Sequence, residues 1–275
     1  MSDESASSHL NPLVRFGQDV RRVREGRKIT QRALGAAAGG YSESYVSKVE
    51  KGVILASAAF AEGCDRVFGT PGLYAGHRAR IDEEAAPSWF VPYLKLERRA
   101  THVFDYSSTT LMGILQTDDY ATAQFRAGFP GETEKVIAAK VAQRLRRRTV
   151  LERQPPLTLW VVINEAALRA EVGGPSVMAA QLDHLVDLSA VGNVELQVLP
   201  FSAGAVGTYL TAFTLLKLPE GKAVMHADDP TGGRLYQDGP AVEYTVEAFD
   251  RLRAHALAPD ASRAMIRALR TGKET

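Results

Sequence analysis

The stretch from Thr30 to Gly52, TQRALGAAAGGYSESYVSKVEKG, constrains this chain more tightly than any other. Thr30 precedes a run in which Leu34 and several alanines recur at helical spacing, so its hydroxyl is placed to cap a helix. Gly39, Gly40 and Tyr41 then break that helix, because paired glycines weaken helix propensity and admit left-handed backbone. Ser42 is a second N-cap, and Val46 and Val49, three apart, face inward from the helix that follows. Ser44, Tyr45, Ser47 and Lys48 are left on its other faces. The small residues of the first helix allow the second to cross it closely, which is the geometry of a helix-turn-helix. In such a unit the second helix enters the major groove with its N-terminal residues against base edges.

These residues resemble the Cro/repressor-like (XRE-type) helix-turn-helix family over roughly residues 13 to 70. The resemblance rests on Thr30-Gln31 opening one helix, on Leu34 and the glycine turn, and on SESYVSKVEKG from Ser42 to Gly52. The family pairs an arginine of the preceding helix with a glutamate near the end of the recognition helix. Arg24 and Glu50 occupy those places. The turn Gly39-Gly40-Tyr41 is about one residue longer than the usual pattern. The resemblance implies double-stranded DNA as a partner, a homodimer on paired half-sites, and contact residues among Thr30, Gln31, Ser42, Glu43, Ser44, Tyr45, Ser47 and Lys48. Serine and lysine can read base edges or phosphates. Glu43 can accept from a cytosine amine or simply favour the helix dipole. Thr30 and Gln31, at a helix N-terminus, are expected on a phosphate.

A chain of 275 residues is too long for a helix-turn-helix alone and has room for a second core. The formal charge of +1 conceals an asymmetry, since residues 1–80 carry twelve Lys/Arg against eight Asp/Glu. A positive balance there suits phosphate contact. The opening MSDESASSHLNP has no apolar h-region, so residues 1–12 read as a disordered tail rather than a signal peptide. No run of about 18 apolar residues exists, no membrane span is expected, and a cytoplasmic location is the simplest expectation. Cys64, the single cysteine, excludes an internal disulfide and reads as a buried apolar residue.

Along the chain, Phe16 to Arg24 reads as an amphipathic helix ended by Gly26, with Arg27-Lys28 near where a DNA backbone would run. Ile54 to Phe68 reads as one or two helices. Residues 71–88, mixed in Gly, Pro and charge, read as a linker to a second domain over 89–272. There a helix is expected after Pro92, a short strand at Val103–Tyr106, and a helix to Ala127 capped by Thr117 or Asp118. A long helix is expected over Glu132–Gln154. Its outer faces would carry Lys140, Arg144, Arg146, Arg147, Arg148 and Arg153, as a basic surface or as a solvated face paired with acids elsewhere. Leu157–Ile163 and Val194–Leu199 read as parallel strands joined through a helix that opens at Pro175 or Ser176. Thr208–Leu218 and Ala223–His226 read as further strands, and helices close the chain near Val242–Ala256 and Ser262–Arg270. The fold class is therefore mixed: an all-α N-terminal domain, then a C-terminal α/β or α+β domain with a small sheet flanked by helices.

Ile114–Ala121 (ILQTDDYA), the run RLRRRTVL, WVVINEAALRAEVGGPSVMAAQLDHL and VELQVLPFSAG resemble the C-terminal domain of WhiJ-like actinobacterial regulators over roughly residues 88 to 270. The resemblance implies an antitoxin-like arrangement with a small partner protein encoded nearby; a small-molecule ligand is the other signal this domain is expected to receive. Two positions depart from it: Met112-Gly113 where Pro-Gly is usual, and Arg148 where Gln is usual.

Little in the chain points to catalysis. The six histidines are scattered without an HExxH spacing, and neither GxxxxGK[ST] nor GxGxxG occurs. His226 with Asp228 and Asp229 reads as a loop after a strand rather than a metal cluster. Glu165, after the Trp160 strand, is a ligand contact or a helix-start residue. The chain is expected to be a sequence-specific transcriptional regulator, not an enzyme, without a cofactor or metal. The alternative is an antitoxin-like adaptor that neutralises a small partner and uses DNA binding for autoregulation.

Overall fold

The computed structural model describes residues 12–84, 86–229 and 232–271, and the chain divides into two compact units, residues 1–85 and 86–275. The tail expected over residues 1–12 lies outside the described residues except for Pro12, which opens the first helix.

The N-terminal unit is helical: α1 (Pro12–Gly26), α2 (Gln31–Gly39), α3 (Glu43–Glu50), α4 (Ala58–Phe68) and α5 (Leu73–Glu84). Thr30 caps α2 by accepting from the Ala33 N–H at 3.1 Å, and Ser42 caps α3 by accepting from the Tyr45 N–H at 3.2 Å. Between them Gly40 takes a φ of 84°, the left-handed conformation that closes α2 at little steric cost only for glycine. Phe16, Val20, Leu34, Val46, Val49, Phe60, Cys64 and Phe68 fill the core. Burial pushes the Cys64 thiol up to about 12, in keeping with its reading as an apolar residue. Gly17 lets α1 lie against the end of α3, since a Cβ there would sit 2.3 Å from the Val49 carbonyl oxygen.

The stretch expected as a linker over 71–88 is largely helix α5. Tyr74, Arg78 and Ile81 are buried along one face of it. Its N-terminus is held by Asp65, whose carboxylate accepts from the Tyr74 and Ala75 N–H groups at 3.0 and 2.9 Å. Arg78 reaches the Ala56 carbonyl at 3.1 Å. The sequence hides this helix because one of its three inward positions is an arginine and its cap lies in α4.

The C-terminal unit contains α6 (Val91–Glu97), β1 (His102–Ser107), a short 3-10 turn (Gly113–Leu115), α7 (Asp118–Gly128), α8 (Glu134–Arg146), α9 (Thr149–Glu152), β2 (Thr158–Asn164), α10 (Glu165–Arg169), α11 (Pro175–Leu188) and β3 (Val194–Leu199). Then follow β4 (Phe213–Lys217), β5 (Ala223–Asp229), β6 (Gly232–Tyr236), α12 (Pro240–His255) and α13 (Pro259–Arg270). They build one six-stranded mixed sheet in the order β3-β2-β1-β4-β5-β6. Strands β1, β2 and β3 run parallel, and β4, β5 and β6 pair antiparallel. Alternation sends Val103, Leu159, Val161, Leu196, Leu216 and Val224 to a core shared with α6, α11 and α13. Tyr106, Val162, Leu199, Phe213, Leu215 and Met225 go to the other face, under α12.

Three expectations are corrected here. The long helix over 132–154 is α8 and α9, separated at Arg147 and Arg148, whose side chains both turn into the domain. Arg144, Arg147, Arg148 and Arg153 therefore form no basic surface. The strand expected from Thr208 begins only at Phe213, and β6 extends the sheet although its sequence, GGRLY, carries little strand signal.

Candidate functional site

In the helix-turn-helix the solvent side of α3 carries Glu43, Ser44 and Lys48, all exposed, with Ser47 half-buried beside them. The helix is fixed from behind by Val46 and Val49 and by Glu50, whose side chain is 2 % exposed. Arg24 grips that carboxylate with both Nε and Nη2, the latter at 3.0 Å, and donates Nη1 to the Ile29 carbonyl at 2.9 Å. The interaction raises the Arg24 pKa, chiefly through the hydrogen bond to Glu50. Gln31 completes the cluster by donating one Nε2 hydrogen to Glu50 Oε2 at 2.7 Å, and its second Nε2 hydrogen is the one able to donate to a phosphate.

Tyr45 stands apart from the other α3 positions singled out in the sequence. Its ring stacks on Tyr41 with centroids 4.6 Å apart, and its hydroxyl accepts from the Ser57 N–H at 2.7 Å. Tyr41 reaches the Ser57 hydroxyl at 2.6 Å, so the aromatic pair ties the turn to the start of α4. Arg27 likewise bends inward and donates to the Phe68 carbonyl at 2.6 Å. Arg32 and Lys51, exposed at the start of α2 and the end of α3, escaped the sequence reading; their places beside Gln31 and Lys48 were the only signal. Thr30 and Ser42 each spend a side-chain oxygen on a cap and keep a hydroxyl proton to donate.

In the C-terminal unit a polar row crosses the sheet, since Asp105 pairs with Thr214 and Thr214 with His226 on neighbouring strands. Asp105 accepts from Ser107 at 2.7 Å and Thr214 at 2.8 Å. His226 packs among Trp89, Phe90 and Tyr93, and burial lowers its pKa, against the nearby Asp228. Among the described residues no group of three His, Cys, Asp or Glu is placed to hold a metal. Asn164 caps α10 by accepting from Ala166, and Glu165 is buried, bonded to Arg169 at 2.6 Å and to the Phe201 N–H at 2.7 Å.

Asp105 yields a pH prediction. Burial raises its carboxyl to about 6, against the pull of its two hydroxyl partners. The folded chain thus holds this proton more tightly than the unfolded chain, where an aspartate titrates near 4. Its contribution is full below about pH 4 and is lost as pH rises to about 6, on the order of 2–3 kcal/mol in all. Asp105→Asn, which keeps an acceptor for Ser107 and offers an amide to Thr214, should gain on the parent across that window. Urea melts of both proteins at pH 4 and 7 would show it, and a difference that does not change with pH would count against it.

Residues 15–73 match a helix-turn-helix domain family. Residues 90–268, more than half of the chain, match a domain of unknown function, DUF5753. The chain belongs to the DUF5753 family. No curated protein and no solved structure matches it. A helix-turn-helix joined to the DUF5753 domain supports a DNA-binding regulator, and no helix among the described residues is long and apolar enough to cross a membrane.

Proposed function

We propose that this chain is a sequence-specific transcriptional regulator of XRE type that binds double-stranded DNA as a homodimer. Residues 13–70 would carry the DNA contacts, and residues 89–272, WhiJ-like by resemblance, would receive a small partner protein or a small-molecule ligand. The observation that carries the reading is the two-sidedness of α3. Val46, Val49 and Glu50 are buried, while Glu43 and Ser44 stand in solvent at the N-terminal end, where a recognition helix meets bases, and Lys48 is exposed one turn further along. Ser42, Ser47 and the Thr30–Gln31 corner flank that face, and Tyr45 supports it through Tyr41 and Ser57.

The test is fluorescence anisotropy on DNA from upstream of the protein's own gene, with random DNA as competitor and salt varied. Lys48→Ala and Ser44→Ala are each expected to cost roughly 1–3 kcal/mol on the operator and much less on random DNA, as base contacts do. Gln31→Ala should weaken both alike, as a phosphate contact does. Equal losses on both DNAs for all three variants would sink the assignment. Binding that collapses with salt on every sequence would put the adaptor reading first.

A further inference from the structure

Three helices meet around the 3-10 turn Gly113–Leu115, and they bring more polar donors than the turn has acceptors. Gln181 of α11 clasps the turn from one side, donating to the Leu115 carbonyl at 2.8 Å and accepting from the Thr117 N–H at 2.6 Å. Arg148, just past α8, donates Nε to the Ile114 carbonyl at 3.0 Å. Arg144, one turn earlier, gives Nη1 to the side-chain oxygens of Gln116 and Gln124 at 2.7 and 2.6 Å. Both guanidiniums thus rest on neutral oxygens, and among the described residues neither has a carboxylate within ion-pair distance. Burial, then the neighbouring Arg147 charge, brings Arg144 down to about 10.

Unmet hydrogen-bonding capacity gathers at the same place. Arg148 Nη2 and His184 Nε2 are buried and have no partner among the described residues. His184 lies three residues after Gln181 on one face of α11, which puts it over the turn that Arg148 holds. The electrostatics agree with that placement. Burial and then the Arg148 charge lower the His184 pKa, while Asp187 raises it; Asp118 and Glu152 act on Arg148 from beyond hydrogen-bond distance. Buried polar groups are normally satisfied, and leaving one unmade is expensive. A water could meet a lone donor, but it supplies no counter-charge to two arginines.

We propose that this turn receives a small oxyanion, a carboxylate or a phosphate, bridging Arg148 Nη2 and His184 Nε2, with Arg144 as the second positive charge. The inference rests on the regulator reading only for its consequence at DNA; the site is defined by its own geometry. A negative charge between the two groups would also favour the protonated His184 ring, so occupancy should register as an upward move of its titration.

The test uses the full chain with isotopically labelled histidine rings, titrated with sodium acetate and separately with inorganic phosphate, against sodium chloride at matched ionic strength. The His184 resonance is expected to shift saturably with at least one of the two anions, and its titration midpoint to rise. Arg148→Gln should weaken that binding about tenfold or more. A shift reproduced by chloride, or one unchanged in Arg148→Gln, would overturn the proposal. If Arg148→Gln does not fold, His184→Gln serves. The anion should raise the parent's Tm but not the variant's, and equal stabilisation would overturn the site. Anisotropy on operator DNA with and without the anion separates the two readings. Anion binding without operator binding would sink the regulator and leave the site standing, and operator binding without anion binding would do the reverse.

Discussion

Arg24→Met is expected to destabilise the helix-turn-helix unit by about 3–5 kcal/mol, the usual cost of removing one partner of a buried ion pair. The substitution keeps the aliphatic stem but withdraws both donors to Glu50 and the donor to the Ile29 carbonyl. Glu50, with its side chain 2 % exposed, would keep only the Gln31 amide as a side-chain donor. The consequence falls on α3, because Glu50 is its last residue and Val49 beside it lies against Gly17 of α1. Amide exchange at Val46 and Val49 should accelerate by the factor matching that free energy, while exchange in β1 and β2 of the other unit stays as it was. Operator affinity should fall with the folded fraction of the unit. Arg24→Met combined with Glu50→Leu should cost less than Arg24→Met alone, since the stranded charge goes with its partner. A loss under about 1 kcal/mol in the single variant would mean that water reaches Glu50 and that the pair does not lock the helix.

What the sequence made legible was what it states locally. Thr30 and Ser42 act within three residues of themselves and Gly40 within five, so the turn and both caps could be read from spacing, and the inward valines followed. The parallel pairing of β2 with β3 was readable for a similar reason, because LTLWVVI and VELQVL are short strand-like runs on either side of a helical stretch, α10 and α11. Long-range polar partnerships were not readable. Arg78 looks like a solvated residue until Ala56 lies beneath it, and α5 looks like a linker until Asp65 caps it. On α3 Tyr45 read like its neighbour Ser44 as a residue left outside the core, and only the fold reveals that its hydroxyl is committed to Ser57. Arg147 and Arg148 follow the same logic, since periodicity places them on a helix but cannot say that the helix is interrupted there and that both side chains turn inward.

Arg147 shows most clearly what that inward turn achieves, and Arg147→Met is the second variant with a large expected effect. Its guanidinium makes a two-pronged contact with Glu97 at 2.7 and 2.9 Å and lies 5.1 Å from the Phe90 ring centroid. Glu97 also accepts from the Tyr93 hydroxyl at 2.8 Å, and its side chain is 2 % exposed. Burial alone would lower the Arg147 pKa, but the charge and hydrogen bonds of Glu97 hold it above its ordinary value. Removing the arginine would strand Glu97 in the core, at a cost of about 3–5 kcal/mol to the C-terminal unit. Glu97→Gln should be comparably severe for the opposite reason, leaving Arg147 beside Arg144 with no carboxylate between them. Arg147→Lys should fall short of rescue, because an ammonium cannot reproduce the planar fork. Urea melts of the full chain would register these losses in the transition of the C-terminal unit, and the double variant Arg147→Met with Glu97→Leu should lose less than the Arg147→Met and Glu97→Leu single losses added. The break between α8 and α9 provides a second readout. If the bond to Glu97 imposes it, Arg147→Met should lengthen α8 toward the span its periodicity allows, and helical circular dichroism should rise even as stability falls. A variant that loses stability with unchanged helicity would mean that Arg148, through the Ile114 carbonyl, sets the break by itself.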